Sequence, residues 1–145
     1  MSDRRAHILL VEDDSDDVKF VRRAFFDVWP NCEIHSVGDG EEALSFLRRT
    51  PGYEDVPSPD LILLDLNMPR KGGHEVLLEI KQDDALKHIP VVVMTTTDDK
   101  DTVLTSYKLH ANSFITKPVG ADELNRIVQT VVDYWFSAVG LPTAR

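Results

Sequence analysis

Short runs of apolar residues alternate along the chain with longer segments in which apolar residues recur every three or four positions. Three runs are dense and rich in leucine or β-branched residues: His7–Val11, Asp60–Leu66 and Pro90–Thr95. Such runs are typical of strands that are buried on both faces, as in a parallel sheet covered by helices. Glu33–Val37 and Ser113–Thr116 are weaker strand candidates. The pattern therefore predicts five strands.

The segments between these runs have helical periodicity. Helices are predicted after Ser15, Gly40, Gly73 and Asp99, and in a last segment from Leu124 to Trp135. Pro30 ends the first of them, and Thr97 or Asp98 is expected to cap the fourth. Strands separated by helices of this length imply right-handed parallel crossovers, so the fold class is α/β, a doubly wound sandwich.

Acidic residues follow the predicted strands at their carboxyl ends, where ligands bind in sheets of this kind. Glu12 and Asp13 follow the first strand, and Asp65 follows the third. Two such charges 4 Å apart repel by about 1 kcal/mol in water and about 4 kcal/mol at an effective dielectric of 20. The carboxylates therefore need a compensating cation, and a site made only of oxygen atoms suits Mg²⁺.

Two further residues extend this predicted site. Thr95 ends the fourth strand and Lys117 follows the fifth, which adds a hydroxyl and a fixed positive charge to the same edge. A cation, an ammonium group, a hydroxyl and a carboxylate in one pocket form a site for a phosphoryl group. Each residue alone commonly starts a loop or caps a helix. Their joint occurrence at four strand ends is what indicates a site.

Composition and charge exclude several other functions. The 145 residues fit a single domain over 1–145, with a core at about 6–136 and a C-terminal tail at 137–145. With 25 acidic and 16 basic residues, the chain is unsuited to binding nucleic acid or an anionic membrane. Its longest apolar runs have four residues, whereas a membrane span needs about 20. Cys32 is the only cysteine, which excludes an intramolecular disulfide. A cytoplasmic protein is expected.

Other sequence features receive structural interpretations. The histidines are scattered without the spacing of metal ligands and are expected to be surface or satisfied residues: His7, His35, His74, His88 and His110. The segment 38–43 formally matches the dinucleotide fingerprint G-x-G-x-x-A, but its three acidic residues would repel a pyrophosphate. It is therefore interpreted as a turn before a helix, and no organic cofactor is expected.

Taken together, the motifs resemble the receiver domain of two-component response regulators over about residues 6 to 136. The matching segments are Ile8–Asp13, Leu61–Pro69 with Gly73, Pro90–Thr95 and Phe114–Pro118. The resemblance implies a five-stranded parallel sheet in the order 2-1-3-4-5 with helices on both faces, the flavodoxin-like arrangement. It also implies a signalling phosphoacceptor rather than an enzyme, with at most self-phosphorylation and self-dephosphorylation.

The resemblance implies roles for the residues that handle the phosphoryl group. Asp65 would accept it from the phosphohistidine of a sensor histidine kinase. Lys117 would pair with the phosphoryl oxygens, and Thr95 would hydrogen-bond one of them. Thr95 and Phe114 would form a switch that changes the surface of the fourth helix, fifth strand and fifth helix. Phe114 stands where many members of the family carry tyrosine.

The resemblance also implies a ligand set for Mg²⁺. Asp13 and Asp65 would bind the ion directly, Glu12 directly or through water, and Asn67 through its backbone carbonyl. Glu12 departs from the aspartate that is commoner at its position, and its longer arm could reach the metal differently.

Features outside the reactive site resemble stand-alone regulators that pair with phytochrome-type histidine kinases. These are Tyr53–Pro59, Pro69–Gly73, Thr95–Thr97 and the segment from Tyr134 to Pro142. In the last helix, the apolar stripe from Ile127 to Val139 is wider than one core-facing side requires. It predicts either a homodimer through the fourth helix, fifth strand and fifth helix, or packing beneath the C-terminal tail.

Two other functions stay open at the level of sequence. A phosphatase with an aspartyl nucleophile would place a second aspartate, as general acid, two residues after Asp65; that position is Asn67. A receiver-like module that binds partners without phosphorylation would keep the fold and dispense with the chemistry. Competent residues at every reactive position argue against it.

Overall fold

Five parallel strands form one sheet in the order β2-β1-β3-β4-β5. They are β1 (His7–Val11), β2 (Glu33–Val37), β3 (Leu61–Leu64), β4 (Val91–Thr95) and β5 (Ser113–Thr116). The structure is a computed structural model that describes residues 5–68 and 70–138. The predicted strand order is confirmed. The strand predicted over Asp60–Leu66 is shorter than expected, Leu61–Leu64, and the Asp60 carboxylate before it accepts a hydrogen bond from the backbone N–H of His7 (3.0 Å).

Helices follow each strand in turn. They are α1 (Ser15–Val28), α2 (Gly40–Arg48), α3 (Gly73–Gln82), α4 (Lys100–Lys108) and α5 (Ala121–Asp133), which continues as a π-helical segment, Tyr134–Ala138. The expected cap of α4 was wrong. Asp99 caps it by accepting a hydrogen bond from the N–H of Thr102 (2.9 Å), whereas Thr97 and Asp98 lie too early in the chain for that contact.

Helices cover both faces of the sheet, as predicted. Leu9 and Val11 belong to an apolar cluster with α2 and α3, whereas Ile8 and Leu10 face α1 and α5. This alternation follows from the two-residue period of a strand. β3 and β4 are buried along their whole length, which explains why their sequences are almost continuously apolar. Among the described helices, none is long and apolar enough to cross a bilayer.

The wide apolar stripe of the last helix is used mostly inside the molecule. Val128, Val131 and Val132 are buried, and Ile127 and Trp135 are half-buried against the same core. The ring of Phe136 contacts that of Trp29, with centroids 5.1 Å apart. Val139 and residues 140–145 of the predicted tail lie outside the described residues, as does Pro69 of the predicted motif.

Gly73 begins α3 directly against the backbone that follows β3. A Cβ atom at this position would lie 2.5 Å from the carbonyl oxygen of Asp65 and 2.5 Å from the Cα of Leu66. Both neighbours are backbone atoms and cannot move independently of the strand end. The missing side chain of Gly73 therefore allows α3 to pack close to Asp65.

We expect Gly73→Ala to lower the free energy of unfolding by about 1–3 kcal/mol, because the backbone near Asp65 has to shift to admit a methyl group. The matched control is Gly38→Ala, where a Cβ would have Glu42 Oε1 as its nearest contact, at 3.8 Å. The control should stay within about 0.5 kcal/mol of the wild type. Urea unfolding of the three proteins measures the difference. Equal stabilities would contradict the close packing of α3.

Candidate functional site

Three carboxylates meet at the carboxyl ends of β1 and β3. Glu12 and Asp13 follow β1, Asp65 follows β3, and the parallel register pairs the last residues of the two strands, Val11 and Leu64. Carboxylate oxygens of the three acidic residues lie within 4.8 Å of one another. Glu12 and Asp65 are buried, with 4% and 6% of their surface exposed, whereas Asp13 is open to solvent. The structure therefore brings the three predicted carboxylates together.

Lys117 reaches these carboxylates from the end of β5. Its ammonium group donates hydrogen bonds to the Glu12 carboxylate and to Asp17 Oδ2 (2.8 Å), and lies 3.6 Å from Asp65 Oδ2. Its backbone N–H donates to the carbonyl of Thr95 (2.8 Å). The lysine thus supplies a positive charge inside the acidic pocket, as predicted from its place after the fifth strand.

Asp17 was missed by sequence reasoning, although it binds Lys117. It lies in the first turn of α1 beside Asp16, and Asp14 caps that helix by accepting hydrogen bonds from the N–H groups of both residues. Acidic residues are common in a first turn because they interact favourably with the helix dipole. Only the orientation of α1 over the sheet distinguishes Asp17 from its neighbours, and that orientation has no local sequence signal.

Burial and neighbouring charges shift the pKa values of Glu12 and Lys117. Burial, helped by the negative charge of Asp65, raises the pKa of Glu12 from 4.5 to about 7, although the hydrogen bond from Lys117 opposes the shift. Burial by itself would lower the pKa of Lys117, but hydrogen bonds to Asp17 and Glu12 raise it above its ordinary value. The ammonium group of Lys117 therefore stays charged at neutral pH, whereas the carboxyl group of Glu12 titrates near neutral pH.

Thr95 forms the floor of the site at the end of β4. The residue is fully buried, and its hydroxyl oxygen accepts hydrogen bonds from Asn67 Nδ2 (3.4 Å) and from the N–H of Thr97 (3.5 Å). Asn67 Nδ2 also donates to Thr97 Oγ1 (2.9 Å), and its backbone N–H donates to Asp65 Oδ1 (3.4 Å). The metal-binding role predicted for Asn67 uses its backbone carbonyl, so these contacts do not compete with it.

Phe114, the predicted switch residue, lies half-buried on β5. Its side chain packs against the core cluster beneath α2 and α3. Its backbone N–H donates a hydrogen bond to the hydroxyl of Tyr107 on α4 (3.1 Å). Tyr107 has no place in the predicted site, yet its hydrogen bond connects α4 to the edge strand that carries Phe114.

The loop between β3 and α3 is anchored to the start of α2. Arg70 has a left-handed backbone (φ 66°) and its guanidinium donates to the Asp39 carboxylate. Asp39 also caps α2 by accepting from the N–H of Glu42 (2.8 Å). The segment 38–43 is therefore a turn before a helix, as predicted. The ion pair links the loop that follows Asp65 to the start of α2.

Sequence reasoning did not anticipate that two of the histidines meet. His7 and His35 are in contact, with His7 Nδ1 3.0 Å from His35 Nε2. The parallel register of β1 and β2 pairs His7 with Glu33 and Leu9 with His35, so neighbouring strands bring the two rings together. Spacing along the chain cannot reveal such a pair. His74, by contrast, is satisfied as expected, by a hydrogen bond with Ser106 Oγ (2.9 Å).

Comparisons with known proteins agree with the fold and with the acidic pocket described above. The family model described as response regulator receiver domain matches residues 8–129. The response regulator Rcp1 of Synechocystis sp. is 44% identical over 137 residues, which cover 94% of this chain and 93% of Rcp1.

Two solved structures are similar along almost the whole chain. The crystal structure of the phosphorylated cyanobacterial phytochrome response regulator RcpA has a TM-score of 0.92 and 42% identity, and covers 97% of this chain and 100% of that one. The Mn²⁺-bound form of Rcp1 has a TM-score of 0.88 and 43% identity, and covers 95% and 99%.

We expect Asp65→Asn to lower the pKa of Glu12 below its value of about 7 in the metal-free protein. The negative charge of Asp65 favours the protonated form of Glu12, so its removal favours the ionised form and the pKa falls. Carbon-13 NMR of the Glu12 carboxyl group, titrated in the presence of a chelator, measures the shift. Asp98→Asn, at an exposed position, is the control. An unchanged pKa in Asp65→Asn would contradict the coupling.

Proposed function

Because the chain belongs to the response regulator receiver domain family, we propose that it takes a phosphoryl group from a sensor histidine kinase onto Asp65. The observation that carries this assignment is the position of Asp65. Its carboxylate lies among cation-binding oxygens and 3.6 Å from the Lys117 ammonium group. No other carboxylate of the described residues combines these two partners with a place at the end of the central strand β3.

In the proposed reaction, a carboxylate oxygen of Asp65 attacks the phosphorus of a phosphohistidine. A P–O bond forms, the P–N bond breaks, and the imidazole leaves with the electron pair of that bond. Phosphoryl transfer needs in-line placement and neutralisation of charge more than covalent help. Asp65 gives the nucleophile, and Lys117 gives a cation that has to move only a short distance from Glu12 and Asp17 to meet the phosphoryl oxygens.

The donor set of the pocket suits Mg²⁺. Glu12, Asp13 and Asp65, with the backbone carbonyl of Asn67, would hold the ion through oxygen atoms alone. When bound, Mg²⁺ offsets the negative charge of the carboxylates and of the incoming phosphoryl group. The existence of an Mn²⁺-bound form of the similar protein Rcp1 supports the binding of a divalent ion by this chain.

The phosphoryl group would act on the switch through Thr95. It adds close to two negative charges and three acceptor oxygens. In both of its contacts the Thr95 oxygen accepts, so its hydroxyl hydrogen can be donated to a phosphoryl oxygen. Turning Thr95 toward Asp65 leaves space into which Phe114 can rotate, and a phenylalanine has no hydroxyl to desolvate. Because the hydroxyl of Tyr107 accepts a hydrogen bond from the backbone N–H of Phe114, α4 would move with β5.

A phytochrome-type histidine kinase is the proposed phosphoryl donor. The similarity to Rcp1, and to the phytochrome response regulator RcpA along nearly the whole chain, supports this pairing. The chain would act as a single receiver domain in the cytoplasm, where it would meet the kinase and pass its signal through protein contacts. The proposal includes no catalytic turnover beyond gain and loss of its own phosphoryl group.

The surface formed by α4, β5 and α5 is the proposed output surface, and we propose that it forms the interface of a homodimer. Leu104 and Tyr107 of α4 are 53% and 46% exposed, and β5 is an edge strand with three half-buried residues. The support for the dimer interface comes from the exposed residues of α4 and β5, because most of the described apolar residues of the last helix are packed into the core.

We expect the wild-type protein to take up ³²P from a phytochrome-type histidine kinase in the presence of Mg²⁺, and a chelator to abolish the uptake. Asp65→Asn should be at least about 100-fold slower, because the nucleophile is lost. Asp98→Asn is the control, since the residue is exposed and lies outside the acidic cluster. Gel autoradiography follows the label, and hydroxylamine should release it if the product is an acyl phosphate.

Three outcomes of this experiment separate the parts of the proposal. Uptake by Asp65→Asn at the wild-type rate would overturn the acceptor assignment. Uptake from acetyl phosphate, but from no phytochrome-type kinase, would retain Asp65 and reject the pairing. A wild-type protein that takes no label from any donor would favour the phosphorylation-independent binding module.

We expect beryllofluoride, which mimics the acyl phosphate, to increase dimer formation in sedimentation velocity runs. Leu104→Arg should raise the dimer dissociation constant at least about tenfold, because burying a leucine contributes about 1.5–3 kcal/mol. Leu78→Arg is the matched control, since Leu78 is also exposed (39%) but lies on α3. A monomer at all concentrations, with and without beryllofluoride, would reject the dimer.

A further inference from the structure

A second group of metal-binding side chains lies at the opposite end of the sheet from the acidic pocket. It consists of His7 on β1 with Glu33 and His35 on β2, and one ligand atom of each lies within 4.8 Å of those of the other two. His7 and Val11 are the two ends of β1, so the group lies about 13 Å along the strand from the residues that precede Glu12. The two groups are therefore separate sites.

The donor atoms are close to the arrangement that a tetrahedral metal requires. His7 Nδ1 lies 3.0 Å from His35 Nε2 and 3.7 Å from Glu33 Oε2. Two ligands on a tetrahedral zinc ion with bonds of about 2.0 Å are separated by ~3.3 Å. Small rotations of three side chains would bring all the donors to that separation. Both rings are neutral ligands when their hydrogens occupy the other nitrogens, Nε2 of His7 and Nδ1 of His35.

The register of β1 and β2 positions the backbone of all three ligands. Glu33 and His35 are two residues apart on one strand, so their side chains share a face of the sheet. His7 is paired with Glu33 in the register of β1 and β2. The His35 ring also packs against Phe46 of α2, with centroids 5.6 Å apart. Little conformational entropy would therefore be lost when the ligands bind an ion.

We propose that His7, Glu33 and His35 form a binding site for a transition-metal ion of the zinc type. Two imidazoles and one carboxylate suit Zn²⁺ and disfavour Mg²⁺, which prefers oxygen ligands. Three protein ligands leave the fourth position of a tetrahedral ion to water. Because the ligands come from two neighbouring strands, the ion would link β1 to the edge strand β2.

The surroundings of the site permit an ion to enter. The side chain of His7 is 23% exposed and that of Glu33 is 42% exposed. Arg5 would compete with a metal ion for Glu33, since its guanidinium lies 3.6 Å from Glu33 Oε2. The side chain of Arg5 is 58% exposed in this ion pair. Exposed ion pairs contribute little free energy, so a metal ion can replace this one.

The test is a Zn²⁺ titration of the full chain in competition with a chromogenic chelator, with excess Mg²⁺ present to fill the acidic pocket. We expect one Zn²⁺ per chain and a rise in melting temperature, because a ligand that binds only the folded state stabilises it. His35→Gln should weaken binding by more than about tenfold, since even outer-sphere partners of a metal contribute 10–100-fold. His88→Gln, at an exposed histidine outside the group, should bind as the wild type does.

A second measurement uses the unaltered chain, so that an unstable variant cannot leave the question open. Nitrogen-15 NMR should show Zn²⁺-dependent shifts at Nδ1 of His7 and Nε2 of His35, with His88 unchanged. Shifts at the two predicted nitrogens support the site. Zn²⁺ that is displaced in step with added Mg²⁺, equal affinity in His35→Gln, or shifts confined to other residues would overturn it.

Discussion

The pocket at the end of β1 and β3 is governed by the repulsion among three carboxylates that share one small volume. Glu12 and Asp65 are buried there with Asp13 beside them, and Lys117 is the cation that reaches them. A buried carboxylate that loses its partner is strongly destabilising. The lysine therefore stabilises the pocket, while burial, helped by the charge of Asp65, keeps the pKa of Glu12 raised. A divalent cation would offset the remaining negative charge, so that the pocket can accept the further negative charge of a phosphoryl group.

This charge arrangement follows from the parallel sheet rather than from any one motif. Parallel strands all present their carboxyl ends at the same edge, so residues that are distant in the chain meet without a dedicated scaffold. Glu12 and Lys117 are more than a hundred positions apart, yet each needs only to follow its strand immediately. The absent side chain of Gly73 and the anchoring of Arg70 on Asp39 then hold the backbone around Asp65. The fold thus supplies the rigid frame that a phosphoryl site requires.

Sequence reasoning succeeded where a side chain's position depends on its own strand, and failed where it depends on how two elements pack. The five strands and the meeting of Glu12, Asp13 and Asp65 were predictable, because hydrophobic runs define strands and strand ends define the site. The strand order was implied by the family resemblance and not by the hydrophobic pattern. Asp17 and Tyr107 could not be assigned, since the orientation of α1 and α4 decides what they touch. The cap at Asp99 was displaced by one or two residues, which is the usual uncertainty of helix ends.

The histidine pair illustrates the same limit and points to a division of chemistry along β1. Ligand spacing was sought within single segments, whereas His7 and His35 meet only through the register of two strands. At the carboxyl end of β1 the donors are carboxylate oxygens, which suit a hard ion such as Mg²⁺. At the amino end, two imidazoles and a carboxylate suit an ion of the zinc type. Because the two donor sets differ in kind, the same strand can hold both ions without either displacing the other, and an ion that links β1 to β2 would stiffen the strand whose other end carries Glu12 and Asp13.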